Sequence, residues 1–252
     1  MNTKTLNSKT EGGFTLVELA IVMIIIGLLI GGILKGQELI ANAEVSAGVS
    51  QLKGVDSAVS TFRDAYNAFP GDITNAANRI KNCNQAPCNI VPASSNGHLE
   101  RAPGVAVNIA DDGAAFWAQL SASDIMGGVT PSAAAVALGE SHPEFQIDGG
   151  LRVGYTATGA GADMPAITAA AAPTAGHYVA VGDLGGAIGA TNVLTPLEAS
   201  RLDTKIDDGA PNTGSVLGAG VANGCTDDGT PTGIYSTASS QTDCSLYMRI
   251  QG

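Results

Sequence analysis

The sequence predicts an α+β fold, with one long amino-terminal helix leading into a head built on an antiparallel sheet. Three observations carry that expectation. An apolar run extends from Gly12 to Leu34. No proline interrupts the chain between Phe14 and Phe69, and apolar residues recur at spacings of three and four through the second half of that stretch. From Pro70-Gly71-Asp72 onward the pattern changes to short helix and strand candidates joined by glycine- and alanine-rich connections.

The apolar run comes first. From Phe14 to Leu34 there are 21 residues, about 31 Å of α-helix, which matches the hydrocarbon core of a bilayer. Fourteen of them are Leu, Ile, Val or Phe, and each favours insertion by roughly 0.3–0.6 kcal/mol. One carboxylate, Glu18, opposes insertion by about 3 kcal/mol at a helix centre and by less near an end. Insertion wins. Lys4 and Lys9 precede the span, so the amino terminus is expected to stay cytoplasmic and the head to face the periplasm or the exterior. A secretory signal places its cleavage site after the apolar core. Here the candidate site, Gly13, lies before it, so the helix stays on the mature chain.

The string Gly12-Gly13-Phe14-Thr15-Leu16-Val17-Glu18 resembles the amino terminus of a type IV prepilin or pseudopilin. In that family a short basic leader ends in glycine, phenylalanine follows, and glutamate is the fifth mature residue. The resemblance implies cleavage between Gly13 and Phe14 by a prepilin peptidase, methylation of the new Phe14 amine, and a bridge from Glu18 to the Phe14 amine of a neighbouring subunit. It implies as partners a homopolymer of the same chain and an inner-membrane assembly platform, with the subunit a single-pass inner-membrane protein before it joins a periplasmic or surface filament. Two charges held in hydrocarbon are costly alone and tolerable as a pair. The resulting division is a leader at 1–13, a membrane and filament-core helix at 14–34, an amphipathic continuation at 35–69 and a head at 70–252.

Beyond Lys35 the helix changes character. Val45, Val49, Leu52, Val55, Val59, Phe62, Tyr66 and Phe69 form one stripe that must cover something. Packing against the head is expected rather than a coiled coil, because the stripe stops at the Pro70 turn. The helix is expected to reach Ala68. Gly27, Gly31, Gly32 and Gly36 permit close helix approach and weaken the helix by up to ~1 kcal/mol each. Many relatives carry a proline where this chain has Lys35, so any local unwinding would have to come from these glycines.

In the head, Asp111 or Asp112 is placed to cap a short helix through Ala114–Leu120. Thr195-Pro196-Leu197-Glu198 combines an N-cap, a first-turn proline and a capping box, for a helix reaching about Asp207 and stopping at Gly209. Strands are expected at Leu151–Ala157, His177–Val181, Ser215–Val221 and Ser245–Ile250. A sheet of these strands over the second half of the long helix would bury its stripe, and the ladle shape is what the pilin resemblance implies. Gly154–Gly161 and Ala169–Ala172 read as exposed loops. Cys83, Cys88, Cys225 and Cys244 allow three pairings. The local one, Cys83–Cys88 with Cys225–Cys244, is the simplest in an extracytoplasmic domain.

Composition excludes several functions. A net charge of −11 repels phosphate backbones, so no nucleic acid is expected; loss of residues 1–13 would make it −12. The three histidines are scattered without a nucleophile, and neither a phosphate loop nor G-x-S-x-G is present, so no enzyme is expected. No metal or other cofactor is expected either. Calcium is the single candidate, because Asp203, Asp207 and Asp208 adjoin Gly209 and major pseudopilins hold calcium in a carboxyl-terminal loop. EF-hand spacing is absent. The sequence therefore reads as a structural subunit of a type IV pilus-like filament. The alternatives are a pseudopilin or priming subunit of a type II secretion or DNA-uptake system, and a monomeric membrane-anchored binding module.

Overall fold

A computed structural model describes residues 13–92, 94–157, 173–186, 192–220, 224–227 and 233–250. The chain divides into two compact units, Met1–Ala43 and Glu44–Gly252. Helix α1, Leu16–Tyr66, contributes residues to both. It starts two residues after Phe14 and ends two before the expected Ala68. At its start Thr15 takes the capping position, and at its end Asn67 adopts a left-handed φ of 49°. The Asn67 amide donates back to the Arg63 carbonyl at 2.8 Å. Asparagine tolerates that conformation better than most residues, which closes the helix before Pro70.

In the first unit the apolar side chains face outward all round. Phe14 is 93% exposed and Leu28 73%, and the most apolar 18-residue window has a mean hydropathy of 2.8. A Cβ added at Gly27, Gly31, Gly32 or Gly36 would meet nothing within 4 Å. The helix continues without a break through these glycines and Lys35, whose ammonium pairs with Glu38 at 2.6 Å. Exposure persists past Leu34, at Leu39 and Ile40. Burial begins only at Val45, one residue into the second unit.

The second unit is organised around the stripe. Val45, Val49, Leu52, Val55, Val59 and Phe62 are buried, with Phe69, in one core cluster. Full burial of each such side chain contributes about 1.5–3 kcal/mol. The same cluster takes in one face of an antiparallel sheet of order β1-β2-β4-β3, made of β1 (Gly150–Thr156), β2 (Gly176–Gly182), β3 (Val216–Ala219) and β4 (Ser245–Arg249). Register explains the sorting. Val179 stands opposite both Val153 and Met248, and Val181 opposite Leu151 and Leu246, so these residues share the core face. The alternate positions, Tyr178, Ala180, Leu217, Ala219 and Tyr247, form a second buried cluster on the other face. A sheet buried on both sides explains why its strands are nearly apolar throughout.

On that second face the structure decides between two overlapping expectations. Gly154 is a buried residue of β1, in agreement with the strand expected at Leu151–Ala157 and against the exposed loop expected from Gly154 onward. A Cβ there would lie 2.4 Å from the Arg101 carbonyl oxygen and 2.5 Å from the Pro103 nitrogen, because residues 101–103 cross the strand at this point. The glycine admits a neighbouring backbone instead of marking a turn. Residues 158–161, Ala169–Ala172 and Val221 lie outside the described residues. Beside Gly154, Arg152 is 1% exposed and donates from Nη1 to the Val105 carbonyl at 3.1 Å. Burial lowers its pKa to about 10.

Three further helices complete the unit. α2, Ala76–Arg79, is a single turn absent from the sequence expectation. α3, Asp112–Ala122, has Asp111 as its cap, accepting from the Ala114 amide at 3.1 Å. It brings Phe116, Trp117 and Leu120 into the core. Gln119, fully buried in the same helix, accepts from the Gly71 amide and donates to the Cys88 carbonyl. It thereby ties the Pro70 turn to the first disulfide loop. α4, Pro196–Ile206, begins with the expected capping box at Thr195 and Glu198 and buries Ala199 and Leu202.

Both local disulfides are formed, Cys83–Cys88 and Cys225–Cys244, and all four cysteines are fully buried. The second closes a loop of sequence separation 19, for which chain entropy alone gives about 3 kcal/mol. Replacing Cys225 and Cys244 together by serine should therefore lower the unfolding free energy of the head by about 3 kcal/mol. Chemical denaturation followed by circular dichroism measures it.

Candidate functional site

Gly13, Phe14 and Thr15 precede α1 in non-helical backbone, and all three are exposed. The first turn is then held by one carboxylate. Glu18 Oε2 accepts from the Thr15 amide at 2.8 Å and from the Thr15 hydroxyl at 2.9 Å, while the Glu18 amide donates to Thr15 Oγ1 at 3.3 Å. This is a capping box, with Thr15 at the cap and Glu18 three residues on. α4 repeats the arrangement at Thr195 and Glu198, with distances of 2.8, 2.8 and 3.3 Å.

The same Thr-x-x-Glu spacing that marks the start of α4 stands at Thr15, inside the prepilin-like string, and is the signal by which this second box could be found. Glu18 therefore has a task within its own chain. It satisfies the helix's first amide and places a negative charge at the positive end of the helix dipole. Both of its hydrogen bonds use Oε2, so Oε1 is left to accept from a donor outside the chain. A carboxylate that caps its own helix with one oxygen and presents the other can meet an ammonium group without the first turn coming undone.

Asp203, Asp207 and Asp208 do converge, with one carboxylate oxygen from each lying within 4.8 Å of the others. Their oxygens already hold the loop after α4. Asp203 Oδ1 accepts from the Gly209 amide at 3.2 Å, and its Oδ2 accepts from the Tyr235 hydroxyl at 2.9 Å. Asp207 Oδ2 accepts from the Ser215 and Val216 amides. Asp208 accepts from the Ala210 amide and the Thr213 hydroxyl. Calcium takes six to eight oxygen ligands, and most of the oxygens here are directed at protein donors. This set fits a loop clamp better than a calcium cage.

The clamp connects three parts of the head. Tyr235 lies inside the Cys225–Cys244 loop, is itself buried, and reaches Asp203 on α4. No sequence rule pairs a tyrosine with an aspartate 32 residues away. Burial pushes the Asp203 carboxyl up to about 7, against a lowering from the Tyr235 hydrogen bond. Burial likewise pushes the Tyr235 hydroxyl well above its ordinary range.

Among known proteins, the family model described as the prokaryotic N-terminal methylation motif matches residues 8–34. The chain thus carries the type IV pilin and pseudopilin prepilin-type signal, on the same stretch that holds Gly13, Phe14 and the Thr15–Glu18 box. No curated protein and no solved structure matches the chain. The motif together with the exposed apolar helix fits a membrane-anchored precursor.

Two outcomes follow from this geometry. Replacing Thr15 by valine keeps the shape and removes the hydroxyl, which should cost the first turn about 1 kcal/mol. Exchange of the Glu18 amide, which donates to that hydroxyl, should then quicken several-fold in micelles, with α4 unchanged. For Asp203, a pKa of about 7 in the fold against 3.8 unfolded means that the folded chain holds more protons between those values. Its contribution is fully present below about pH 4 and is lost as pH rises through about 7. His142 and His177, lowered by burial to about 4 and about 3, slope the opposite way. The difference in unfolding free energy between wild type and Asp203→Asn, measured from pH 4 to 8, should isolate the carboxyl and decline with rising pH.

Proposed function

We propose that this chain is a structural, non-enzymatic subunit of a type IV pilus-like filament, stored in the inner membrane and polymerised through its amino-terminal helix. A prepilin peptidase cuts between Gly13 and Phe14 and methylates the Phe14 amine, and an inner-membrane assembly platform adds the subunit to a homopolymer. In the filament the Glu18 carboxylate of one subunit receives the amine of Phe14 on the next. The final location is a periplasmic or cell-surface filament.

One observation carries the reading. A single carboxylate stands at the head of an apolar helix whose whole surface, from Phe14 to Ile40, is exposed in the isolated subunit. Such a surface needs either lipid or other copies of itself. Helix faces open at Gly27, Gly31, Gly32 and Gly36 allow close approach between copies. In a medium of lipid or packed helices, the carboxylate gains most from a cation, and cleavage before Phe14 supplies one at the right end of the helix. The reaction requires no cofactor of this chain, and the acidic surface makes nucleic acid an unsuitable partner. The large head with its carboxyl-terminal disulfide loop favours a surface pilus over a secretion pseudopilus.

In cells with an active prepilin peptidase, mass spectrometry of the mature chain should show an amino-terminal methylated phenylalanine at position 14. Glu18→Ala should insert and be cleaved like wild type, yet yield at least tenfold less filament in sheared surface fractions, a loss equivalent to about 1.4 kcal/mol or more per added subunit. A mature chain that keeps its leader, or normal filaments from Glu18→Ala, would overturn the proposal.

A further inference from the structure

The carboxyl end of α1 opens onto a cleft of about 760 Å³, lined wholly by residues of the second unit. That volume lies within the range of roughly 300–1,000 Å³ typical of small-molecule sites, with room for more than one sugar ring. Its floor concentrates ring systems in a chain where aromatic residues are only 4%. His177 stacks on Phe69 with centroids 3.7 Å apart, and His98 stacks on Tyr155 at 3.8 Å. The two stacks meet, since Tyr155 and His177 lie 5.0 Å apart and the two imidazoles 6.1 Å apart. Two of the three histidines, scattered in sequence, converge here.

The rim is polar. Arg63 and Asp64 from the last turns of α1, with Asn67 just beyond, complete the lining. Among the described residues, the Arg63 guanidinium, the Asp64 carboxylate, the Asn67 amide, the His98 ring nitrogens and the Tyr155 hydroxyl have no hydrogen-bond partner or ion pair in the chain. His177 is different: its Nε2 accepts from the Leu99 amide at 3.4 Å, which fixes the ring as part of the floor. Burial holds its pKa down at about 3, so the floor stays neutral in ordinary conditions.

We propose that this cleft binds a neutral saccharide chain. Flat ring faces accept the apolar face of a pyranose by dispersion. The planar guanidinium, carboxylate and amide groups offer paired donors and acceptors for its hydroxyls. Charge selects among ligands. Asp64 lines the cleft, and Asp72 lies behind it, accepting from the Gly97 amide at 2.7 Å. Glu100 and Asp112 add further negative charge near Asp72. One exposed arginine among these acids, on a chain of net charge −11, disfavours an acidic glycan. An organic cation is disfavoured because each ring has one face covered by its stacking partner, so the rings do not enclose it as a cage. The outer side of exposed His98, by contrast, stays open to one flat pyranose face. The site stands on the geometry of the head and holds whether or not the chain polymerises.

The test uses the full chain in a polyoxyethylene detergent, which carries neither sugar nor charge. Maltotriose, cellotriose, galactotriose and tri-N-acetylchitotriose are the neutral probes, and trigalacturonate and phosphocholine are the contrasts. Saturation-transfer NMR detects contact and isothermal titration measures affinity. At least one neutral trisaccharide should bind with a Kd of millimolar or tighter. Arg63→Ala, Asp64→Ala and His98→Ala should each weaken it about tenfold or more, the range for losing a charge-assisted hydrogen bond. Lys53→Ala, exposed on α1 but away from the cleft, should leave the affinity unchanged. Arg63 and Asp64 are exposed on a helix, so their variants keep the fold even if His98→Ala does not. The proposal fails if no neutral trisaccharide binds, if only trigalacturonate or phosphocholine binds, or if the Arg63 and Asp64 variants bind like wild type.

Discussion

A carboxylate at the start of an apolar helix has few stable environments. It can neutralise itself by taking a proton, it can reach water, or it can collect donors from the protein. Glu18 takes the third course and uses the donors nearest to hand, the amide and hydroxyl of Thr15. The arrangement serves the helix, whose first amides have no internal acceptors. It also leaves the carboxylate oriented and half engaged at the place where a cleaved terminus would bring a positive charge. Helix start and the proposed subunit contact thus share one side chain.

The rest of α1 is divided by what surrounds it. Up to Leu34 the helix is apolar on every side, and its large apolar side chains are exposed as far as Ile40 among the described residues. From Val45 only a stripe is apolar, and that stripe is the spine of the head's core. The change is one of periodicity, not of local backbone preference, since the helix itself is continuous. Lys35 and Glu38 stand in the exposed stretch as an ion pair between neighbouring helix positions. Such a pair contributes only tenths of a kcal/mol in water, so it leaves the helix's course to its apolar neighbours.

In the head, polar groups are used as fasteners. Gln119 joins the Pro70 turn to the first disulfide loop, and Asp203 joins α4 to the second through Tyr235. Each is fully buried with both partners inside the chain, the condition under which a buried polar group stabilises rather than costs. Arg152 meets the condition only in part, with Nε and Nη2 lacking acceptors among the described residues. The cleft at the end of α1 is different, because its own polar rim is left uncommitted.

Much of this was legible from residue order alone. The apolar span, the Thr195 capping box, the helix-ending turns and the four strands depend on neighbours within a few positions, so spacing and residue type decide them. The prepilin-type signal is likewise a local string. What spacing could not decide were contacts between distant segments. Gly154 falls in both an expected strand and an expected loop; its pairing with Tyr178 puts it in the strand, and the approach of residues 101–103 leaves no room there for a side chain. Asp203 is grouped by spacing with Asp207 and Asp208, and only in the fold is it buried, with its Oδ2 accepting from the hydroxyl of Tyr235, 32 positions on. His98 and His177 lie 79 positions apart in sequence, and they share a cleft because β1 and β2 pair in a particular register beside the end of α1. Local chemistry settles which elements form. Only the closed chain, where burial sets solvation and brings remote groups within a few ångströms, decides which side chains meet.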